Sequence, residues 1–263
     1  MNTSSLAGKN ILVVEDNAIN QMLVRHSLSK SGATIDIANN GNYALTFIES
    51  NTYDIILMDL FMPELDGYQT TQIIRKELHL NIPIVAMTAL AIRGEAEKCI
   101  GLGMNGYVSK PFTSESLYKE LVRVLDISST GISNTKSQPI NTDVVIDLAF
   151  LQELAAGEEA YTKATIELFK ENMPTTLNNL QKAIEQQNWE STAKWAHYCK
   201  STLSVIKIKE MYTLSVALEI LAKAEQNIEQ AHHIANQLVN LFKKVELLLN
   251  KDTTETTKVH QVA

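Results

Sequence analysis

In the first half of the 263-residue chain, short apolar runs alternate with stretches of helical spacing. The runs cover residues 11–14, 34–38, 55–58, 84–87 and 107–109, and helical periodicity begins near Ala18, Asn42, Gly67, Gly94 and Ser114. Strands that alternate with helices bury both sheet faces through right-handed crossovers, which makes the sheet parallel. The pattern predicts an α/β doubly wound, five-stranded parallel sheet of order 2-1-3-4-5.

After Asp126 the sequence turns polar and rich in Ser, Thr and Gly, with no period, as expected of a connector. Beyond it apolar residues recur at helical spacing as far as Leu249, with breaks expected at Pro174 and near Asn188, Lys207 and Asn227. The expected organisation is a sheet domain over residues 8–126, a flexible linker over 127–143, an all-α four-helix-bundle domain over 144–251 and a frayed tail over 252–263. A connector of about 17 residues has an r.m.s. span of roughly 20 to 25 Å, which permits exchange between the two domains of one chain.

Charge narrows the function classes. Residues 1–126 carry 10 Lys+Arg against 14 Asp+Glu, and residues 127–263 carry 13 against 16. Neither half has the clustered cations that displace phosphate counterions, so no nucleic-acid partner is expected. Cys99 and Cys199 form no CxxC or Cys/His metal pattern. No apolar run is long enough for a signal peptide or a membrane span, so a cytoplasmic protein without direct membrane contact is expected.

In an open parallel sheet, ligands bind at the carboxyl ends of the strands, where strand order reverses. Glu15 and Asp16 follow the first strand and Asp59 ends the third, so the order 2-1-3-4-5 gathers three carboxylates at one rim. Such a set requires raised pKa values or a hard divalent cation, and all-oxygen donors suit Mg2+. Thr88 and Lys110, at the ends of the fourth and fifth strands, add a hydroxyl and an ammonium. Three acids, a hydroxyl and a lysine describe a phosphoryl site in which cations neutralise the equatorial oxygens while a carboxylate attacks in line.

Four strings carry a resemblance: Ile11-Leu12-Val13-Val14-Glu15-Asp16-Asn17-Ala18-Ile19-Asn20-Gln21, Leu57-Met58-Asp59-Leu60-Phe61-Met62-Pro63-Glu64-Leu65-Asp66-Gly67, Met87-Thr88-Ala89 and Tyr107-Val108-Ser109-Lys110-Pro111-Phe112. In order and spacing they resemble the receiver domain of two-component response regulators, a flavodoxin-like fold, from Gly8 to about Asp126. The stretch from Asn17 to Gln21 is most similar to receivers attached to hybrid sensor histidine kinases. The resemblance implies that Asp59 is the phosphoacceptor. It also implies that Glu15, Asp16, Asp59 and the Phe61 carbonyl hold Mg2+, and that Thr88 and Lys110 bind phosphoryl oxygens. Tyr107 would be an aromatic switch that follows Thr88, and Lys110-Pro111 would be a cis bond, which proline permits. Phe61 and Leu90 are bulky and apolar where side chains would flank a hydrolytic water. Phosphate loss from Asp59 is therefore expected to be slower than in a Phe61→Asn, Leu90→Glu variant, and equal rates would contradict this.

The second half holds one further candidate. At 100° per residue, residues 189–206 place Trp195, Ala196, Tyr198, Cys199, Thr202, Leu203, Val205 and Ile206 on one half of a helical wheel. The other half carries Glu190, Lys194, His197, Lys200, Ser201 and Ser204, so His197 is expected to face outward, with Lys200 at i+3 and Ser204 at i+7. A neutral imidazole is a competent phosphoryl acceptor near pH 7. Ala196-His197-Tyr198-Cys199-Lys200-Ser201-Thr202 resembles the histidine-containing phosphotransfer motif, His-x-x-Lys followed by a small residue, over a region from about Asp147 to Lys251. The resemblance implies a four-helix bundle preceded by a short helix, with His197 as phosphoacceptor and Lys200 as its supporting cation. Ser201, where glycine is commonest, departs from that pattern and bears on transfer rate.

The expected function is phosphorelay signalling between Asp59 and His197, with a sensor histidine kinase and a second receiver domain as partners. No Gly-rich nucleotide loop is present, so the chain is expected to be no kinase, although the receiver would catalyse its own Mg-dependent aspartyl phosphorylation. The alternative is a phosphorylation-switched binding module whose helical half is an inert adaptor.

Overall fold

The computed structural model of the protein describes residues 6–88, 95–125, 148–155 and 157–252. The expected linker, residues 253–263 of the expected tail, Leu90 and the helix start near Gly94 lie outside the described residues. The chain divides into two compact units, one built on a sheet and one on long helices.

The sheet contains β1 (Asn10–Val14), β2 (Thr34–Ala38), β3 (Ile55–Asp59), β4 (Ile84–Thr88) and β5 (Gly106–Ser109), all parallel, in the order β2-β1-β3-β4-β5. Apart from Asn10, every residue of β1, β3 and β4 is buried, as continuous apolar runs require when helices cover both faces. The edges differ. Exposed and half-buried residues alternate along β2, and β5 ends on the exposed Ser109.

Leu12, Val14, Ile56, Met58, Ile84 and Ala86 build one core with Ala44, Ile48, Tyr68 and Ile74. Ile11, Val13, Ile55, Leu57, Val85 and Met87 alternate to the opposite face. There α1 (Ala18–Leu28) packs against α5 (Ser114–Leu125). The remaining helices of this unit are α2 (Gly41–Ser50), α3 (Gly67–Gln72) and α4 (Glu95–Gly101). Asn17 and Asn40 cap α1 and α2, and Asp66 closes a capping box with Gln69 at α3. A π-helical turn, Ile73–Glu77, extends α3. The sequence pattern did not reveal it, because the apolar positions fit an ordinary helix as well.

The second unit contains α6 (Leu148–Leu154) as far as Leu151, then α7 (Glu159–Glu185), α8 (Trp189–Ile206), α9 (Lys209–Lys223) and α10 (Ile228–Asp252). Neighbours pack around a closed circuit, α7 on α8, α8 on α9, α9 on α10 and α10 on α7. Phe169 and Phe242 meet edge-on at 5.7 Å in a core that also holds Met173, Leu177, Leu203, Leu218 and Leu238.

The expected breaks at Asn188, Lys207 and Asn227 are present. Asn188 caps α8, Lys207 ends it in the left-handed conformation, and Asn227 accepts a hydrogen bond from the Gln230 amide ahead of α10. The expected break at Pro174 is absent, because α7 runs through it. An internal proline costs about 3 kcal/mol. Burial of Phe169, Met173, Leu177 and Leu180 on the same helix offsets that cost.

Candidate functional site

The carboxyl ends of β1, β3 and β5 bring four predicted side chains into one cluster. Lys110 Nζ donates to Glu15 Oε2 and to Asp59 Oδ2, each at 2.6 Å. Glu15, Asp16 and Asp59 each offer a carboxylate oxygen within 4.8 Å of the others. Glu15 and Asp59 are buried, Asp16 is half-buried, and the Lys110 side chain is 3% exposed. The Lys110-Pro111 bond is cis.

Local structure fixes each group. The Asn17 amide and Asn20 Nδ2 donate to Glu15 Oε1 at 3.1 and 3.0 Å, while Asn17 Oδ1 accepts from the Ile19 and Asn20 amides and starts α1. The Phe61 amide lies 3.4 Å from Asp59 Oδ1. A side chain on Gly67 would strike the Asp59 carbonyl oxygen, so only glycine lets α3 start directly against the Asp59 backbone. Thr88 is buried at the end of β4, and its carbonyl accepts from the Lys110 amide at 2.6 Å. Tyr107 is half-buried on β5, opposite Ala86. Phe61 is half-buried and meets Tyr68 edge-on at 6.0 Å, with Lys98 Nζ 3.7 Å from the Tyr68 ring centre.

The electrostatics follow from this crowding. Burial, then the charge on Asp59, raises the Glu15 carboxyl to about 7 against the pull of Lys110. Burial, then Glu15 and Asp59, holds Asp16 well above the usual carboxylate range. Burial opposes the Lys110 charge, but Asp59 and Glu15 outweigh it and keep the ammonium above its usual value. Three ionised acids against one ammonium would leave two negative charges over. That excess, on an all-oxygen donor set, fits a hard divalent cation.

A second cluster lies in the helical unit. His197 Nδ1 is 3.2 Å from Glu219 Oε1, and Lys200 Nζ donates to Glu219 Oε2 at 2.6 Å. Lys223 Nζ donates to Oε1 at 2.6 Å. Burial would raise Glu219, but His197 first and then Lys200 outweigh it and hold its carboxyl well below the usual range.

The expectation that His197 faces outward is corrected here: it is 6% exposed, and Lys200, Ser201 and Ser204 are buried with it. Of the predicted outer arc, Glu190 and Lys194 are exposed, paired at 2.8 Å near the start of α8. Trp195 and Tyr198, expected inside, are half-buried and meet edge-on at 5.9 Å. A wheel of one helix cannot register Glu219, which comes from α9 and pairs with His197 and Lys200 where α8 is covered.

Residues 11–122 match the response regulator receiver domain family. This stretch is a receiver domain. Among curated proteins, the rice probable histidine kinase 5 is 34% identical over 149 residues, covering 48% of this chain and 13% of its own length. The histidine-protein kinase BarA of Escherichia coli (strain K12) is 25% identical over 216 residues, covering 80% of this chain and 23% of its own length. The chain thus spans a quarter or less of these relatives. Among solved structures, the receiver domain of a Pseudomonas aeruginosa PAO1 sensor histidine kinase, with magnesium coordinated in its active site cleft, is 39% identical. It covers 46% of this chain and 100% of its own, with a TM-score of 0.42.

Within the receiver domain, Glu15, Asp16, Asp59 and Lys110 converge as the sequence implied, Thr88 closes the same rim, and Phe61 and Tyr107 lie on the loop and strand expected of them. Sequence reasoning missed the clamp of Asn20 on Glu15, although Asn20 stands in a string already singled out. It missed Glu219 entirely; a lone acid on another helix carries no local signal.

Proposed function

We propose that this chain relays phosphoryl groups: Asp59 accepts one from a phosphohistidine donor, and His197 of the helical domain carries one. The observation that carries the reading is the buried Lys110 ammonium bridging Glu15 and Asp59. Asp59 Oδ attacks phosphorus as the bond to the donor nitrogen breaks, and Lys110 and Thr88 hold the transferred oxygens. Glu15, Asp16, Asp59 and the Phe61 carbonyl would hold Mg2+, which neutralises phosphoryl charge when bound. Tyr107 follows Thr88 as the switch that reports phosphorylation.

We read residues 8–126 as the receiver, 127–143 as connector and 144–251 as a four-helix bundle of the phosphotransfer type. The 216-residue alignment with BarA extends past the receiver and supports treating the halves together. The donor is a sensor histidine kinase and the onward acceptor a second receiver. ATP chemistry belongs to the kinase. No described helix is long and apolar enough to cross a membrane.

Glu15 titrates at 4.5 ordinarily and at about 7 in the fold, so its contribution to stability is complete below pH 4.5 and lost as pH rises through 7. Mg2+ binding requires its ionised form. The stabilisation gained with Mg2+, followed as a rise in melting temperature, is therefore expected to be larger at pH 8 than at pH 5, approaching roughly 2.7 kcal/mol at a hundred times Kd. An equal gain at both pH values would contradict the assignment.

One observation favours a second reading, in which the helical half is an adaptor. His197 is 6% exposed and bonded to Glu219, as a structural histidine would be. Whether His197 can hold phosphate separates the two.

A further inference from the structure

The carboxylate of Glu219 divides its two oxygens unequally. Lys200, 3% exposed, has Oε2, whereas His197 Nδ1 and Lys223 Nζ share Oε1. An ionised carboxylate only accepts hydrogen bonds, so the ring nitrogen facing it carries the proton, and the imidazole lone pair lies on Nε2. Phosphoryl transfer then proceeds without proton loss. Nε2 forms the bond to phosphorus as the bond to the aspartyl oxygen breaks, the carboxylate leaves with the electron pair, and the ring becomes an imidazolium with its proton on Nδ1. That positive charge develops 3.2 Å from Oε1.

Lys223 weakens the stabilisation. Its ammonium lies 2.6 Å from the same oxygen, one α-helical turn beyond Glu219 at the end of α9. Its side chain is 52% exposed, whereas Lys200 is enclosed. Lys223 is therefore the member of the cluster that solvent, or an acidic group on a docking protein, can draw away.

We propose that Glu219 and Lys223 are opposed positioning residues that set how phosphoryl divides between aspartate and His197, Glu219 favouring the histidine and Lys223 favouring the aspartate. This rests on the phosphotransfer reading above. Withdrawal of Lys223 by a docked acidic partner gives Oε1 wholly to His197 and draws phosphoryl onto the histidine.

The test uses the full chain, labelled with a small-molecule phosphodonor and Mg2+ and brought to equilibrium between phosphoaspartate and phosphohistidine. Glu219→Gln is expected to lower the histidine-to-aspartate ratio about tenfold or more, because charges a few ångströms apart in a buried site interact strongly. Lys223→Ala is expected to raise it several-fold, a direction that a merely structural role would not produce. In the unphosphorylated wild type, 15N shifts of the His197 ring report the Nδ1–H tautomer, and Glu219→Leu, which offers no acceptor, loses that preference. Should Glu219→Gln fail to fold, Lys223→Ala decides alone, since its lysine is largely in solvent. A ratio unmoved by either variant, or lowered by Lys223→Ala, overturns the proposal while leaving relay intact. No label on wild-type His197 overturns both.

Discussion

Replacing Lys110 by alanine is expected to cost the receiver domain about 3 to 5 kcal/mol at pH 8, the loss that follows when one partner of a buried ion pair is removed. The lysine side chain is 3% exposed and 2.6 Å from both Glu15 and Asp59, so its removal leaves buried carboxylates facing one another. The penalty should shrink toward pH 5, because Glu15, raised to about 7, then holds a proton and no longer needs the ammonium. Mg2+ should recover part of the loss by replacing the missing cation. Phosphorylation of Asp59 should fall by roughly two to three orders of magnitude, as when one charge-stabilising donor is removed from an enzyme site. Lys9 is the control: its pair with Asp54 is 40% and 32% exposed, so Lys9→Ala should cost under about 1 kcal/mol. Urea denaturation of both variants at pH 5 and 8, with and without Mg2+, decides the matter. A Lys110 penalty as small as that of Lys9 would show that the bridge is not what balances the acids.

The difference between the two halves explains what was legible in the sequence. The sheet was legible because a parallel strand buried on both sides must be apolar throughout, as Ile55 to Met58 and Ile84 to Met87 are, and because topology alone brings strand ends together. Once the order β2-β1-β3-β4-β5 was inferred, Glu15, Asp16, Asp59 and Lys110 had to converge. The helical half lacks such a constraint. Periodicity placed α8 and its ends, but the inward face of a helix depends on what its neighbours offer. Glu219 on α9 made burial of His197 and Lys200 tolerable, and no feature within α8 announced it. Pro174 misled for a related reason: a proline's local cost is visible, whereas the packing around Phe169 and Leu177 that offsets it is spread across other helices.

Removing Asp59 should have the larger consequence for function. In the proposed relay Asp59 Oδ is the attacking atom, so Asp59→Ala is expected to eliminate the receiver's own phosphoryl acceptor rather than slow it, and His197 in the same preparation should then stay unlabelled by a donor that enters through the receiver. His197→Ala should act differently, abolishing label on the helical half while leaving Asp59 competent. The chemistries are distinguishable, since an acyl phosphate is lost in base and a phosphoramidate in acid.

The most direct measurement is to incubate wild type, Asp59→Ala and His197→Ala with a labelled small-molecule phosphodonor and Mg2+, and to follow the label by its acid and base stability. The expected result is acid-labile, base-stable phosphate on His197 that disappears in Asp59→Ala. Label confined to Asp59, with His197 unlabelled by that route or by any phosphorylated receiver offered to it, would contradict the relay and leave a phosphorylation switch joined to a helical adaptor.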